Sequence, residues 1–292
     1  MAFDRSAARI VAITGGDPTA NQTWTFDVCT NTWTQMHPER EPGGWDSLVY
    51  DVDSDLTVEV DSMTRRVWAY DLEADIWTLK GPLPRTWQGR PRVIYDPVSG
   101  LIVALGSSEL WTYEVETDTW APVRVVNPFP GGSFSDRRVL AYDASVDRFV
   151  AIADDPGETR LFDRYTGRWA RSATAMPGIG FGYGPTGGDI AYDEGGERTV
   201  VFDGGWMVAY RAATDSWETL VSRDDSELTL STSRWYHTMV YDPVNQRLVV
   251  YGGEHPTSDP TVWVGSDDVL AFDPATREWS LLLKAATVQR VQ

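Results

Sequence analysis

The residues best suited to chemistry stand close together late in this chain. Arg234-Trp235-Tyr236-His237 is followed by Glu254-His255, and Trp263 comes soon after. Two imidazoles and a carboxylate are a set that binds zinc or iron. The same groups can exchange protons near neutral pH. His237, His255 and Glu254 are therefore the catalytic candidates if the protein is an enzyme. The competing reading is structural: His237 bonds backbone between neighbouring elements, and His255 rides on a loop. His37, in a separate connection, adds little.

A second group is cationic and aromatic. Arg90, Arg92, Arg137, Arg138 and Arg234 could gather around one opening, with Trp45, Tyr183, Trp206, Trp235 and Tyr236 offering flat faces for stacking. The chain has 292 residues and a formal net charge of −18, from 25 Lys and Arg against 43 Asp and Glu. Grouped arginines in so acidic a chain would make a local positive well for a carboxylate or phosphate. Arginines that bridge structural elements are the other reading. The overall charge argues against nucleic acid and against an anionic membrane as partners.

Other signals are weaker. Asp53-Ser54-Asp55 resembles part of a calcium loop but lacks the glycine and the distal glutamate, so it reads as a turn. Gly178-Ile179-Gly180-Phe181-Gly182 has no strand–helix setting and does not read as a nucleotide site. Cys29 is the one cysteine, so no internal disulfide forms. No metal or cofactor is expected. No apolar run approaches ~20 residues, and Met1-Ala2-Phe3-Asp4 reads as the start of a repeat, not a leader.

The elements that must position these groups come from a recurring cassette. An aromatic-Asp pair opens each copy: Phe3-Asp4, Tyr50-Asp51, Tyr95-Asp96, Tyr142-Asp143, Tyr192-Asp193 and Tyr241-Asp242. A β-branched run follows, such as Leu101-Ile102-Val103-Ala104, then a second aromatic-polar pair, then a closing tryptophan. The polar residue and the tryptophan are always six apart: Asp27 and Trp33, Asp71 and Trp77, Glu114 and Trp120, Asp163 and Trp169, Arg211 and Trp217, Asp273 and Trp279.

Each copy parses into four short strands, and no stretch has a sustained helical period. Repeats at a period of roughly 40–50 residues point to radially stacked sheets, because a lone sheet cannot bury both faces. The expected fold is all-β: a six-bladed β-propeller of four-stranded antiparallel blades, one domain over 1–292. The blades are expected at about 2–36, 45–80, 90–123, 137–172, 187–221 and 235–283, with the tail 284–292 latching blade 1. Antiparallel order puts the 1–2 and 3–4 turns on one face. The 2–3 loops and the links between blades fall on the other. The second set is longer and more varied: the step from closing tryptophan to the next Tyr-Asp runs from 17 (Trp33 to Tyr50) to 24 (Trp217 to Tyr241). Function is expected on that face, at the mouth of the central channel.

The cassette resembles the kelch repeat. Gly15-Gly16 and Gly252-Gly253 match its glycine pair, Gly204-Gly205 does so with a one-residue offset, and Arg234 and His237 match the Arg and His that often open such a repeat. Asp61-Ser62, Gly106-Ser107 and Asp154-Asp155 depart from the glycine pair. The resemblance implies a propeller and leaves the task open. Copper radical oxidases of this fold use a crosslinked cysteine, and Cys29 in a 3–4 turn does not suit that role. The Glu-x-x-x-Asp-x-x-x-His run of iron-dependent relatives is absent. Two functions follow as expectations. One is binding of a protein segment, a glycan or a small anionic molecule at the loop-rich face. The alternative is an isomerase, epimerase, lyase or cyclase using acid/base groups there.

Overall fold

A computed structural model of the chain describes residues 1–15, 21–43, 47–127, 139–153, 158–177, 189–222, 234–256 and 263–284. It is a six-bladed β-propeller built of antiparallel sheets. Sheet one is β1 (Ala2–Asp4), β2 (Arg9–Thr14), β3 (Gln22–Asp27) and β4 (Thr32–Gln35). Sheet two is β5 (Ser47–Asp51), β6 (Leu56–Asp61), β7 (Arg66–Asp71) and β8 (Ile76–Pro82). Sheet three is β9 (Arg92–Asp96), β10 (Leu101–Leu105), β11 (Leu110–Glu114) and β12 (Thr119–Pro122). Sheet four is β13 (Val139–Asp143), β14 (Arg148–Ala153), β15 (Glu158–Asp163) and β16 (Arg168–Arg171). Sheet five is β17 (Asp189–Asp193), β18 (Arg198–Asp203), β19 (Trp206–Arg211) and β20 (Ser216–Val221). Sheet six is β21 (Trp235–Asp242), β22 (Arg247–Pro256), β24 (Val269–Asp273) and β25 (Glu278–Leu283), with β23 (Trp263–Gly265) added alongside β22. The expected tail latch lies outside the described residues.

The fixed spacing has a simple cause. Each closing tryptophan sits directly across the ladder from the aromatic of the strand before it: Phe26 faces Trp33, Tyr70 faces Trp77, and Phe272 faces Trp279. Their ring centroids are 5.1, 4.8 and 5.0 Å apart. Cross-strand aromatic pairs of this kind stabilise the sheet and set its register.

The aspartates shape the turns. The N–H groups of Asp53 and Ser54 donate to Asp51 Oδ1, and those of Val244 and Asn245 to Asp242 Oδ1. In the 3–4 turns Cys29 and Thr30 donate to Asp27 Oδ1, and Ala275 and Thr276 to Asp273 Oδ1. These side chains stand in for turn hydrogen bonds. The residue before each returning strand is then left-handed: Ala8, Asn31, Asp55, Asp75, Gly100, Asp118, Asp147, Gly167, Glu197, Asp215, Gln246 and Arg277. Six of those are Asp or Asn, which tolerate that conformation.

By the density of its internal contacts the chain divides into two units. The first holds sheets one to three and residues 139–142, with Arg148–Ala151 and Arg160–Arg171; the second holds sheets five and six with Asp143–Asp147 and Ile152–Thr159. Within the first, Val58, Val60, Ile102, Ala104 and Tyr113 pack one core between sheets two and three. Asp118 accepts from Tyr113 Oη at 2.7 Å and from the Gly81 N–H, tying those sheets together. Asp75 does the same for sheets one and two through Tyr70 Oη and the His37 N–H. Within the second, Val200, Phe202, Met239, Val250 and Phe272 form the core. There Arg198 is buried, donating to Asp193, to Glu218 and to the Pro274 carbonyl.

Candidate functional site

The blade-six constellation is built on the start of β21. Arg234 is fully buried and donates Nη1 to the Gly252 carbonyl at 3.1 Å and to that of Asp268 at 3.4 Å. Burial pulls its guanidinium below the ordinary value, and the Asp268 charge offsets part of that. Trp235 lays its indole on Gly204, where a Cβ would come 2.5 Å from the ring. Gly204 and Gly205 make the two-residue turn between β18 and β19, both left-handed at φ 58° and 86°.

Between the paired positions Trp235–Glu254 and His237–Gly252 lie Tyr236 and Gly253. Both are left-handed, at φ 59° and 87°. Gly253 has no substitute: an added Cβ would stand 2.6 Å from the Trp235 carbonyl oxygen and 3.0 Å from the His237 nitrogen. Tyr236 is the outlier, a bulky residue in a conformation that suits glycine. Its side chain is 70% exposed.

His237 is enclosed. Its Nδ1 is 3.2 Å from the Arg234 carbonyl oxygen, which can only accept, so the ring proton belongs on Nδ1. Its ring centroid is 4.5 Å from that of Phe202, and Nε2 is buried without a well-formed hydrogen bond among the described residues. Burial, with the Arg234 charge beside it, pushes its pKa down to about 3. The ring is therefore neutral at pH 7.

Glu254 and His255 lie on the extension of β22. The long 2–3 loop of blade six begins as a ribbon here: Glu254 pairs with Gly265, His255 with Val264 and Pro256 with Trp263 across β23. Glu254 is exposed and His255 half-buried. As successive strand residues they point to opposite sides of the ribbon. The three acid/base candidates thus stand on three separate settings, one of them closed off. No three His, Cys, Asp or Glu side chains are grouped to hold a metal among the described residues.

The other candidates divide. Trp206 is buried at the start of β19, opposite Asp203. Asp189 accepts the Met239 N–H at 2.8 Å and so joins β17 to β21. In the first unit, Arg90 is exposed before β9, and Arg92 is half-buried, donating to the Pro91 carbonyl. Trp45, Arg137, Arg138 and Tyr183 lie outside the described residues. Sequence reasoning missed β23; the alternation in Thr261-Val262-Trp263-Val264 was its available signal.

No family model and no curated protein matches the chain. Among solved structures it is similar to a protein of unknown function from Bacteroides thetaiotaomicron VPI-5482, with a TM-score of 0.60 and 13% identity. The match covers 84% of this chain and 64% of that one, so the chain spans less than two thirds of that protein's length. At that identity the likeness shows the fold alone.

Proposed function

We propose that this chain is a ligand-binding propeller of kelch-like type, with a recognition surface on blade six. Tyr236 is its centre, Trp235 and Glu254 flank it, and the β22–β23 ribbon forms one border. The ligand is a protein segment, a glycan or a small molecule held by stacking on the tyrosine ring. The observation that carries this reading is the state of Tyr236. A left-handed bulky residue costs of order 1–3 kcal/mol and persists only where its surroundings enforce it. Here buried Arg234 and His237 on either side enforce it, and the result is an aromatic ring turned to solvent.

The acid/base reading has less support. It needs His237 to meet a substrate, yet that ring is enclosed and its Nδ1 is committed to backbone. Arrays of peptides and glycans probed with the wild-type protein and with Tyr236→Ala test the proposal. Ligands bound by the wild type should be lost from the variant while its folding is kept. Retention of every bound ligand by Tyr236→Ala would remove the surface from consideration.

A further inference from the structure

The acidity of this chain is not even, and two stretches that the fold joins are rich in arginine. Residues 62–66 and 81–92 contain five arginines (Arg65, Arg66, Arg85, Arg90 and Arg92) and no Asp or Glu, in a chain whose net charge is −18. The fold brings the two stretches together within the first unit. Arg66 pairs across the ladder with Pro82, and the Leu83 N–H donates to the Arg65 carbonyl at 3.2 Å. Arg65 Nη2 reaches the Pro84 carbonyl at 2.5 Å.

The ridge is held rigidly. Leu83 and Trp87 are buried as anchors, Trp87 Nε1 donates to the Gly89 carbonyl at 2.9 Å, and the Ser107 N–H donates to Gln88 at 2.9 Å. Pro82, Pro84 and Pro91 limit its backbone further. Nearby carboxylates among the described residues are engaged by other donors, and Arg90 and Arg92 have partners of their own. Asp61 accepts from Met63 and Thr64, Glu109 from the Gln88 and Ser108 N–H groups, and Asp118 from Gly81 and Tyr113. Arg66 and Arg85 are exposed and form no ion pair or side-chain hydrogen bond among the described residues.

We propose that this ridge is a second binding surface, one that takes a short acidic peptide segment. Guanidinium groups pair carboxylates in a fork geometry, and here the backbone that carries them is already fixed. The rest of the acidic chain disfavours any long polyanion that would have to run beyond the ridge. A short run of Asp or Glu fits the positive area without that penalty. The proposal does not depend on the tyrosine of blade six.

The test is fluorescence anisotropy with a rhodamine-labelled oligoglutamate peptide across a salt series. Binding should weaken steadily with added salt, as expected for exposed charge pairs. Arg66→Glu/Arg85→Glu should weaken it about tenfold or more. Neither side chain supports the fold, so unchanged circular dichroism and melting are expected. Arg168→Glu/Lys284→Glu makes the same change in net charge elsewhere and should leave binding within about twofold. Tyr236→Ala should also leave it unchanged. The proposal is overturned if the peptide does not bind at low salt, or if both double variants lose binding equally. It is also overturned if a sulfated oligosaccharide or inorganic phosphate binds the ridge more tightly than oligoglutamate.

Discussion

Replacing Tyr236 with glycine should give a more stable protein than replacing it with alanine. At an ordinary exposed strand position the order is the reverse, with alanine ahead by roughly 0.5–1 kcal/mol because glycine loses more chain freedom on folding. At φ 59° the Cβ of alanine meets the following carbonyl, a cost of about 1–2 kcal/mol that glycine avoids. Both variants remove the same ring, which is 70% exposed and so contributes little burial. The difference between them therefore isolates the backbone. We expect glycine to lead by about 1 kcal/mol, or roughly 2 °C in melting temperature for a chain of this size. Urea denaturation followed by tryptophan fluorescence measures it, and both variants should fail to bind any ligand that stacks on the ring. If alanine proves as stable as glycine, Tyr236 is not strained. The fold then gives up no stability to present it.

Gly253→Ala should be costlier, by about 2–3 kcal/mol, because its Cβ would press on the Trp235 carbonyl at a left-handed φ; denaturation midpoints will show it. Asp118→Ala should cost about 2–3 kcal/mol, since it strands the buried Tyr113 hydroxyl and the Gly81 N–H; a loss below ~0.5 kcal/mol would deny it that linking role. His237 supplies a pH dependence. Its folded pKa, about 3, lies below the ordinary 6.5, so the unfolded chain binds the proton more readily. Its contribution is complete above pH 6.5 and is lost as pH falls from there toward 3. Between pH 7 and pH 5 the wild type should lose about 2 kcal/mol that His237→Gln does not lose. Parallel pH profiles would show that the imidazole is not excluded from protonation.

Much of the fold was legible because the repeat is written in residues that act locally. An aspartate that caps a turn and a tryptophan that faces an aromatic across two strands need no distant partner, so their spacing survives in each copy. Strand positions followed from that spacing. What was not legible depends on neighbours. Gly204 reads as part of a glycine pair, but its place is explained by the Trp235 ring lying on it. His237 reads as a possible base until its carbonyl partner and the Phe202 ring are seen around it. Arg234 and Arg66 are the same letter, yet one is fully buried against two carbonyls and the other is exposed.

The junctions between neighbouring sheets show why spacing outlasts residue type. At the 3–4 turn the left-handed position must leave the preceding blade's backbone or side chains satisfied. In blades two, three and five an aspartate does so, accepting from its own tyrosine and from the His37, Gly81 or Ala173 N–H. In blade four the Val126 N–H donates to the carbonyl of Gly167, and a Cβ on that glycine would stand 2.5 Å from the Arg124 carbonyl oxygen, so no side chain fits. In blade six the roles reverse: Arg277 donates to the Thr219 carbonyl and to Glu218 of blade five. Three residue types thus answer one geometric demand. Tyr236 answers no such demand and is nevertheless held in place, which is why the proposed recognition surface is centred on it.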